Sequence, residues 1–137
     1  MAYLFYLKVF YMQRKELIQK LAERRRKIGV SLDNIAKLSS LGLRTVNRLF
    51  ANEDVKFSTI EKITNLFAVD FAGNEILNIT ELNKQRAHEK ALYMASLVQQ
   101  TSALELQGLE NKELNEIIKK FEIEFLTGSY KKTLWSA

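Results

Sequence analysis

The sequence predicts an all-α fold. Apolar residues recur at the i, i+3, i+4 spacing of amphipathic helices in successive stretches of the 137-residue chain, and this spacing gives each helix one buried face. Helix caps and turn residues, mainly Ser, Asn and Gly, separate these stretches. We therefore expect helices packed against helices.

The first helix is predicted from about Arg14 to Lys27, with Gly29 as its stop. Its buried stripe consists of Leu17, Ile18, Leu21 and Ile28. Arg24 to Arg26 lie in its last turn, where the helix dipole favours cations. They are interpreted either as a solvated helix end or as phosphate contacts, and Arg26 is assigned to the DNA backbone.

Residues 31 to 52 predict two short helices joined by a tight turn, which is a helix-turn-helix. Ser31 and Gly42 are the expected N-caps of the two helices. Leu41 is the apolar anchor of the turn. The inward positions are Leu32, Ile35, Ala36, Leu38, Val46 and Leu49, and the outward positions of the second helix are Leu43, Arg44, Asn47 and Arg48.

Over roughly residues 14 to 70 the chain resembles the Cro-repressor-like (XRE) helix-turn-helix family. The resemblance rests on Ser31, Ile35-Ala36, Leu41, Thr45-Val46 and Arg48-Leu49, and on Phe57 to Ile60 and Leu66 to Asp70, which look like that family's fourth helix and its stop. Ser40 occupies the position at which the family usually has a turn Gly. Leu32 occupies the position at which the family often has a Gln that touches the DNA backbone. The resemblance implies a five-helix DNA-binding domain, placed at residues 14–72, with positions 42 to 44 and 48 facing the bases.

Arg44 and Arg48 are one helical turn apart, so both can point into a major groove and grip guanine O6 and N7. The expected base contacts are Leu43, Arg44, Asn47 and Arg48, and the expected backbone contacts are Ser31, Lys37, Gly42, Thr45 and Arg26. Residues 1 to 60 hold 12 Lys or Arg against 5 Asp or Glu, and residues 61 to 137 hold 9 against 11. This asymmetry favours phosphate binding by the first half, and ordinary surface charge is the alternative.

A fourth helix follows the linker 52–57, with Ser58 and Glu61 as a capping box. Its inner face consists of Ile60, Ile63, Leu66 and Phe67. The chain is expected to be irregular from Asp70 to Thr80, where Gly73-Asn74 signals a turn.

Residues 73–137 are predicted to form a C-terminal helical region. Asn78 or Thr80 caps a long helix to about Leu106, Gln107-Gly108 breaks it, and a last helix runs from Asn111 to Phe125 and stops at Gly128. The apolar stripes are Ala87, Ala91, Met94, Leu97, Val98, Thr101 and Leu104, then Leu114, Ile117, Ile118, Phe121 and Phe125. Their lengths and connection indicate an antiparallel hairpin.

A second copy of the chain is expected to cover these stripes, giving a homodimer through residues 80 to 126. The alternative is that the hairpin folds back on its own domain. The apolar tail Tyr130 to Trp135 has no partner in this pattern, which is typical of a contact site. The residues assigned to a dimer or partner are Ala91, Met94, Leu97, Val98, Ile117, Phe121 and Trp135.

Residues 1–13 are apolar and aromatic, which favours a strand or dimer arm. The equally weighted alternative is that they are extra upstream residues and that Met12 is the true start. The stretch is too short to span a bilayer, which needs about 20 apolar residues, and it lacks the features of a signal peptide. We expect no membrane association.

The chain has no cysteine and a single histidine, His88, and it has no Gly-rich phosphate loop. These features argue against an enzyme, and we expect no metal or other cofactor. The absence of cysteine fits a reducing cytoplasm.

The sequence therefore predicts a dimeric, DNA-binding transcriptional regulator, a repressor that recognises a specific double-stranded sequence. The alternative is an antitoxin that autoregulates its operon and binds a toxin through its C-terminal region, a role that the resemblance implies for small family members. A third hypothesis is a DNA binder with little sequence preference.

Overall fold

The structure is a computed structural model that describes the backbone of residues 2–104 and 110–137 and the side chains of residues 14–101 and 110–137. In these ranges the chain is all-α, as predicted, and the only strand-like pairing is an isolated bridge between Val69 and Glu75. The helices are α1 (Ala2–Ile28), α2 (Leu32–Ser39), α3 (Leu43–Phe50), α4 (Phe57–Phe67), α5 (Ile79–Leu104) and α6 (Asn111–Thr127), followed by a 3-10 turn (Lys131–Thr133). No helix of this described part is both long and apolar enough to cross a membrane.

The chain divides into two compact units, a first unit of residues 1–79 with residue 137 and a second unit of residues 80–136. Helices α1 to α4 belong to the first unit, and α5 and α6 with the 3-10 turn to the second. The boundary lies close to the predicted start of the C-terminal region at residue 73.

Helix α1 begins at Ala2, so the strand predicted for the apolar start was wrong. Strand propensity depends strongly on context, and no Gly, Pro or capping residue interrupts a helix between Ala2 and Ile28. The side chains of the predicted dimer arm, residues 1–13, lie outside the described residues. The stop was correct, because Gly29 follows the helix with φ +83° and donates its N–H to the Arg25 carbonyl at 2.8 Å.

The core of the first unit forms where α1, α2, α3 and α4 pack on one another. Its buried apolar side chains are Leu17, Ile18, Leu21, Val30, Ile35, Ala36, Val46, Leu49, Ile63, Phe67 and Val69. Most of them lie on the predicted stripes, which confirms the helical faces read from the sequence. Leu32, Leu38, Ile60 and Leu66 are only half-buried.

Arg24 is a buried clamp in this unit, with 5% of its surface exposed. Its Nε donates to the Phe67 carbonyl at 2.7 Å, its Nη2 donates to the Leu77 carbonyl at 2.6 Å, and its Nη1 lies 2.8 Å from Glu75 Oε1. Both sequence-based interpretations, a solvated helix end and a phosphate contact, were therefore wrong for Arg24. The stretch predicted to be irregular, Asp70 to Thr80, is irregular up to residue 78, and α5 begins at Ile79.

Helix α4 starts at Phe57 with Lys56 as its N-cap, so the capping box of Ser58 and Glu61 was wrong. The Lys56 carbonyl accepts the Thr59 N–H at 3.0 Å, which makes Ser58 part of the first turn. This earlier start places Thr59 in the core with 4% exposure. The burial of Thr59 in the first turn competes with the predicted cap at Ser58, since an N-cap contributes about 1 kcal/mol of stability.

The second unit contains α5 and α6. His88 Nδ1 lies 2.6 Å from Glu122 Oε1, and Lys90 Nζ lies 5.5 Å from the centre of the Phe125 ring, so the two helices contact each other. Their antiparallel direction stays a prediction. The predicted break at Gln107-Gly108 lies outside the described residues.

The apolar tail folds against α5, so the prediction that it lacks a partner was wrong. Trp135 is 7% exposed, and its Nε1 donates to Asn83 Oδ1 at 2.8 Å. Arg86 donates to the carbonyls of Leu134 at 3.0 Å and Ser136 at 2.9 Å. Helical periodicity could not reveal this pairing, because it joins polar side chains of α5 to a segment about fifty positions later.

Candidate nucleic-acid interface

Helices α2 and α3 form the predicted helix-turn-helix. Ser31 is the N-cap of α2, and its Oγ accepts the Asn34 N–H at 3.1 Å. Ser40 closes α2 in the left-handed conformation, with φ 54° and ψ 42°. Gly42 is the N-cap of α3, and Leu41 between them is half-buried. The two caps are confirmed, and the role of Leu41 as the anchor of the turn stays a prediction.

Helix α3 has one buried side and one exposed side. Val46 and Leu49 are fully buried in the core. The four predicted base-contacting residues lie on the exposed part of the helix, with Leu43 44% exposed and Arg44, Asn47 and Arg48 also exposed. Helix α3 therefore exposes two cationic side chains, one amide and one apolar side chain on the surface of the first unit.

The two arginines of α3 differ in their contacts. Arg48 Nε lies 3.3 Å from Glu53 Oε2, and Arg48 Nη2 donates to the Asp54 carbonyl at 3.2 Å. Arg44 makes no salt bridge or side-chain hydrogen bond with any other residue that the structure describes. Arg44 is thus the freer cation, and Arg48 is held toward the loop after α3.

The predicted DNA-backbone residues come from three helices of the first unit. Ser31 and Lys37 belong to α2, Gly42 and Thr45 to the start of α3, and Arg26 to the last turn of α1. Lys37 lies 3.0 Å from Asp33 and its side chain is 62% exposed. An exposed pair of this kind contributes little stability, so Lys37 can exchange Asp33 for a phosphate.

A polar groove borders α3 and extends the candidate interface beyond the predicted residues. It has a volume of about 580 Å³ and is lined by Leu41, Thr45 and Arg48 on one side and by the stretch from Asp54 to Lys62 on the other. Lys56, Ser58 and Lys62 in this stretch supply cations and a hydroxyl, and the N-cap Lys56 makes no side-chain capping bond. Ser58 was missed because it was assigned to a capping box, and Lys56 because the linker was treated only as a connection. Lys62 was missed because only the inner face of α4 was considered.

The second unit carries the residues predicted to meet a second copy or a partner. Leu97 is 41% exposed, and Met94, Val98, Ile117 and Phe121 are half-buried. Val98, Ile117 and Phe121 line an apolar groove of about 660 Å³ together with Ile123 and Tyr130. Ala91 and Trp135 are buried in the chain itself, so neither is available on this surface.

His88 joins α5 to α6, since its Nδ1 lies 2.6 Å from Glu122 Oε1. In the part of the chain with described side chains, no cluster of His, Asp and Glu residues could hold a metal ion.

Comparisons with protein-family models, with curated proteins and with solved structures found no match for this chain.

Proposed function

We propose that the chain is a dimeric, cytoplasmic transcriptional regulator of the Cro-like helix-turn-helix type, a repressor that recognises a specific sequence in double-stranded DNA. The observation that supports this most is the division of α3 into a fully buried side, Val46 and Leu49, and an exposed side with Arg44, Asn47 and Arg48. A short helix held in this way by its neighbours can enter a major groove without losing core contacts.

In this proposal Arg44 and Arg48 read guanines, each through two hydrogen bonds to O6 and N7, and Asn47 pairs with an adenine. Leu43 packs on a thymine methyl. Phosphate contacts come from the predicted backbone residues, together with Lys56 and Lys62 of the polar groove. These contacts add affinity without sequence information, whereas the arginines supply discrimination.

The test is selection of a binding site from random DNA, followed by titration of variants on that site and on a random duplex. Arg44→Ala and Arg48→Ala are expected to weaken binding to the selected site by about 10- to 100-fold, which corresponds to about 1–3 kcal/mol per lost base contact. Lys37→Ala should weaken binding to both DNAs. It should also reduce the slope of log affinity against log salt concentration by about one, which corresponds to one lost phosphate contact.

Lys119→Ala provides a control that removes one exposed cation from α6 in the second unit. Unchanged binding of both arginine variants to the selected site would refute the assignment of α3. An equal affinity of the wild-type chain for selected and random DNA would favour the hypothesis of a binder with little sequence preference.

We propose that the apolar groove of the second unit is covered by a second copy of the chain. Exposed Ile123 and Tyr130 line it, Leu97 next to Val98 in α5 is also exposed, and water-exposed apolar surface of this kind favours association. On a palindromic site, the two recognition helices of such a dimer are expected to enter successive major grooves about 34 Å apart. Light scattering of the wild-type chain and of Leu97→Asp tests this, with a dimer expected for the first and a monomer for the second.

The antitoxin alternative depends on this same groove, since the folded tail no longer supports it. Co-purification of a neighbouring protein that is lost with Leu97→Asp would favour that alternative over a simple repressor.

A further inference from the structure

A salt bridge at the end of α3 orients one of the two candidate base-reading arginines. Arg48 Nε lies 3.3 Å from Glu53 Oε2, and Arg48 Nη2 donates to the Asp54 carbonyl at 3.2 Å. Nε and one hydrogen of Nη2 form one edge of the planar guanidinium, and Nη1 with the other hydrogen of Nη2 forms the second. Arg48 Nη1 contacts no acceptor among the described residues, so its donors remain open to a planar acceptor such as guanine.

The loop that holds Arg48 is itself fixed from two sides. Arg14 of α1 lies with Nη1 2.8 Å from Asp54 Oδ1, and its Nη2 donates to the Glu53 carbonyl. The Glu53 N–H donates to the Arg48 carbonyl at 3.0 Å. The backbone of Glu53 is therefore fixed at both its N–H and its carbonyl, which limits where its 57% exposed carboxylate can reach.

Glu53 also changes the charge that α3 presents to DNA. Its carboxylate lies beside Arg48 and offsets one of the two positive charges of the helix, whereas Arg44 has no such partner among the described residues. A reduced positive charge weakens attraction to phosphates of any sequence, while the Nη1 group of Arg48 keeps its donors for guanine.

We propose that Glu53 is a specificity-determining residue of the DNA interface: it positions the guanidinium of Arg48 for one base and lowers affinity for unrelated DNA. This inference rests on the proposed function. Glu53 acts through Arg48 and does not itself touch DNA, so it is a positioning residue.

The test uses the full chain and two substitutions at one position. Glu53→Ala removes both the charge and the acceptor, whereas Glu53→Gln removes the charge and keeps an acceptor oxygen. Binding is measured at several salt concentrations on the selected site, on that site with the base pair read by Arg48 exchanged, and on a random duplex. Glu23→Gln is the matched control, since Glu23 is an exposed carboxylate of α1 and the change in net charge is the same.

Both Glu53 variants should bind the random duplex about two- to threefold more tightly than the wild type does. This gain in affinity should exceed that of the Glu23→Gln control. Glu53→Ala should reduce the preference for the Arg48 base pair by about three- to tenfold, and Glu53→Gln should retain most of it. In the free protein, the NMR signal of the Arg48 Nε–H should shift in Glu53→Ala.

The inference is overturned, and the proposed function retained, if Arg48→Ala abolishes the preference while Glu53→Ala behaves like Glu23→Gln. An unshifted Arg48 Nε–H signal in Glu53→Ala overturns the contact itself. If Arg48→Ala leaves the preference unchanged, or the wild-type chain binds no DNA, the proposed role of α3 fails together with this inference.

Discussion

Replacing Arg24 with Met tests how the first unit is held together. Met keeps most of the apolar length of the side chain and removes every hydrogen-bond donor. The substitution leaves the carbonyls of Phe67 and Leu77 without the partners that reach them at 2.7 and 2.6 Å. It also leaves Glu75 without a cation, but Glu75 is 55% exposed and water replaces the lost partner at little cost.

The expected loss follows from these two carbonyl bonds. A hydrogen bond from a charged donor contributes about 1.5–3 kcal/mol, and a buried acceptor left without a partner carries a desolvation penalty. Arg24→Met should therefore lower the free energy of unfolding of the first unit by about 3–5 kcal/mol, which is a large part of the 5–15 kcal/mol typical of a domain. Glu75→Gln should cost less than about 1 kcal/mol.

Hydrogen exchange followed by mass spectrometry suits this measurement, because peptides from residues 14–77 and 110–136 report the two units separately. Arg26→Met is the matched control, since it makes the same substitution two positions away at an exposed site. It should change the stability by no more than about 0.5 kcal/mol. An Arg24→Met variant as stable as the Arg26→Met variant would refute the clamp.

Two further predictions concern a turn and a titrating carboxyl. Ser40→Gly should stabilise the chain by about 0.5–1 kcal/mol in urea unfolding, because Ser40 has φ 54° and a Cβ costs about 1–2 kcal/mol in this left-handed conformation. Ser39→Gly, at the last residue of α2 where φ is negative, should not stabilise the chain, and stabilisation by both substitutions would contradict the argument. Ser129 donates from its N–H at 3.0 Å and its hydroxyl at 2.6 Å to Glu124, and these bonds lower the pKa of the Glu124 carboxyl. The ionised Glu124 carboxylate is the form that accepts these bonds. Their contribution to stability is therefore present above the ordinary pKa of 4.5 and is lost as pH falls through the lowered pKa of Glu124. The melting temperature of Ser129→Ala, followed by Trp135 fluorescence, should be below that of the wild type at pH 7 and approach it in acid, so a gap independent of pH would count against this assignment.

Local signals in the sequence predicted most of the helices and the face that each one buries. The cap at Ser31, the stop at Gly29 and the buried pair Val46 and Leu49 each depend on neighbours within one or two helical turns. Such features are encoded by spacing and by the chemistry of single side chains. The division of α3 into inward and outward sides could be predicted for the same reason.

Contacts between distant segments could not be predicted in this way. Arg24 binds carbonyls 43 and 53 residues away, and Trp135 binds an amide 52 residues away. Helical spacing places Arg24, but not Arg26, on the buried stripe, three residues after Leu21 and four before Ile28. Its residue type concealed this, because arginine is seldom fully buried unless it is paired. Tertiary packing decides which atoms such side chains bind. The helical periodicity of a single sequence does not reveal that packing.

The pairing of Trp135 with Asn83 has a consequence for the newly made protein. A ribosome adds about 5–20 residues per second, so the 52 residues between them correspond to about 3–10 s of synthesis. During that interval the part of α5 that receives the tail exists without its cover, while the residues of the first unit have already been made. Newly synthesised chains should therefore be most exposed to premature association through α5, and to capture by chaperones, from the emergence of α5 until Trp135 has also left the ribosome.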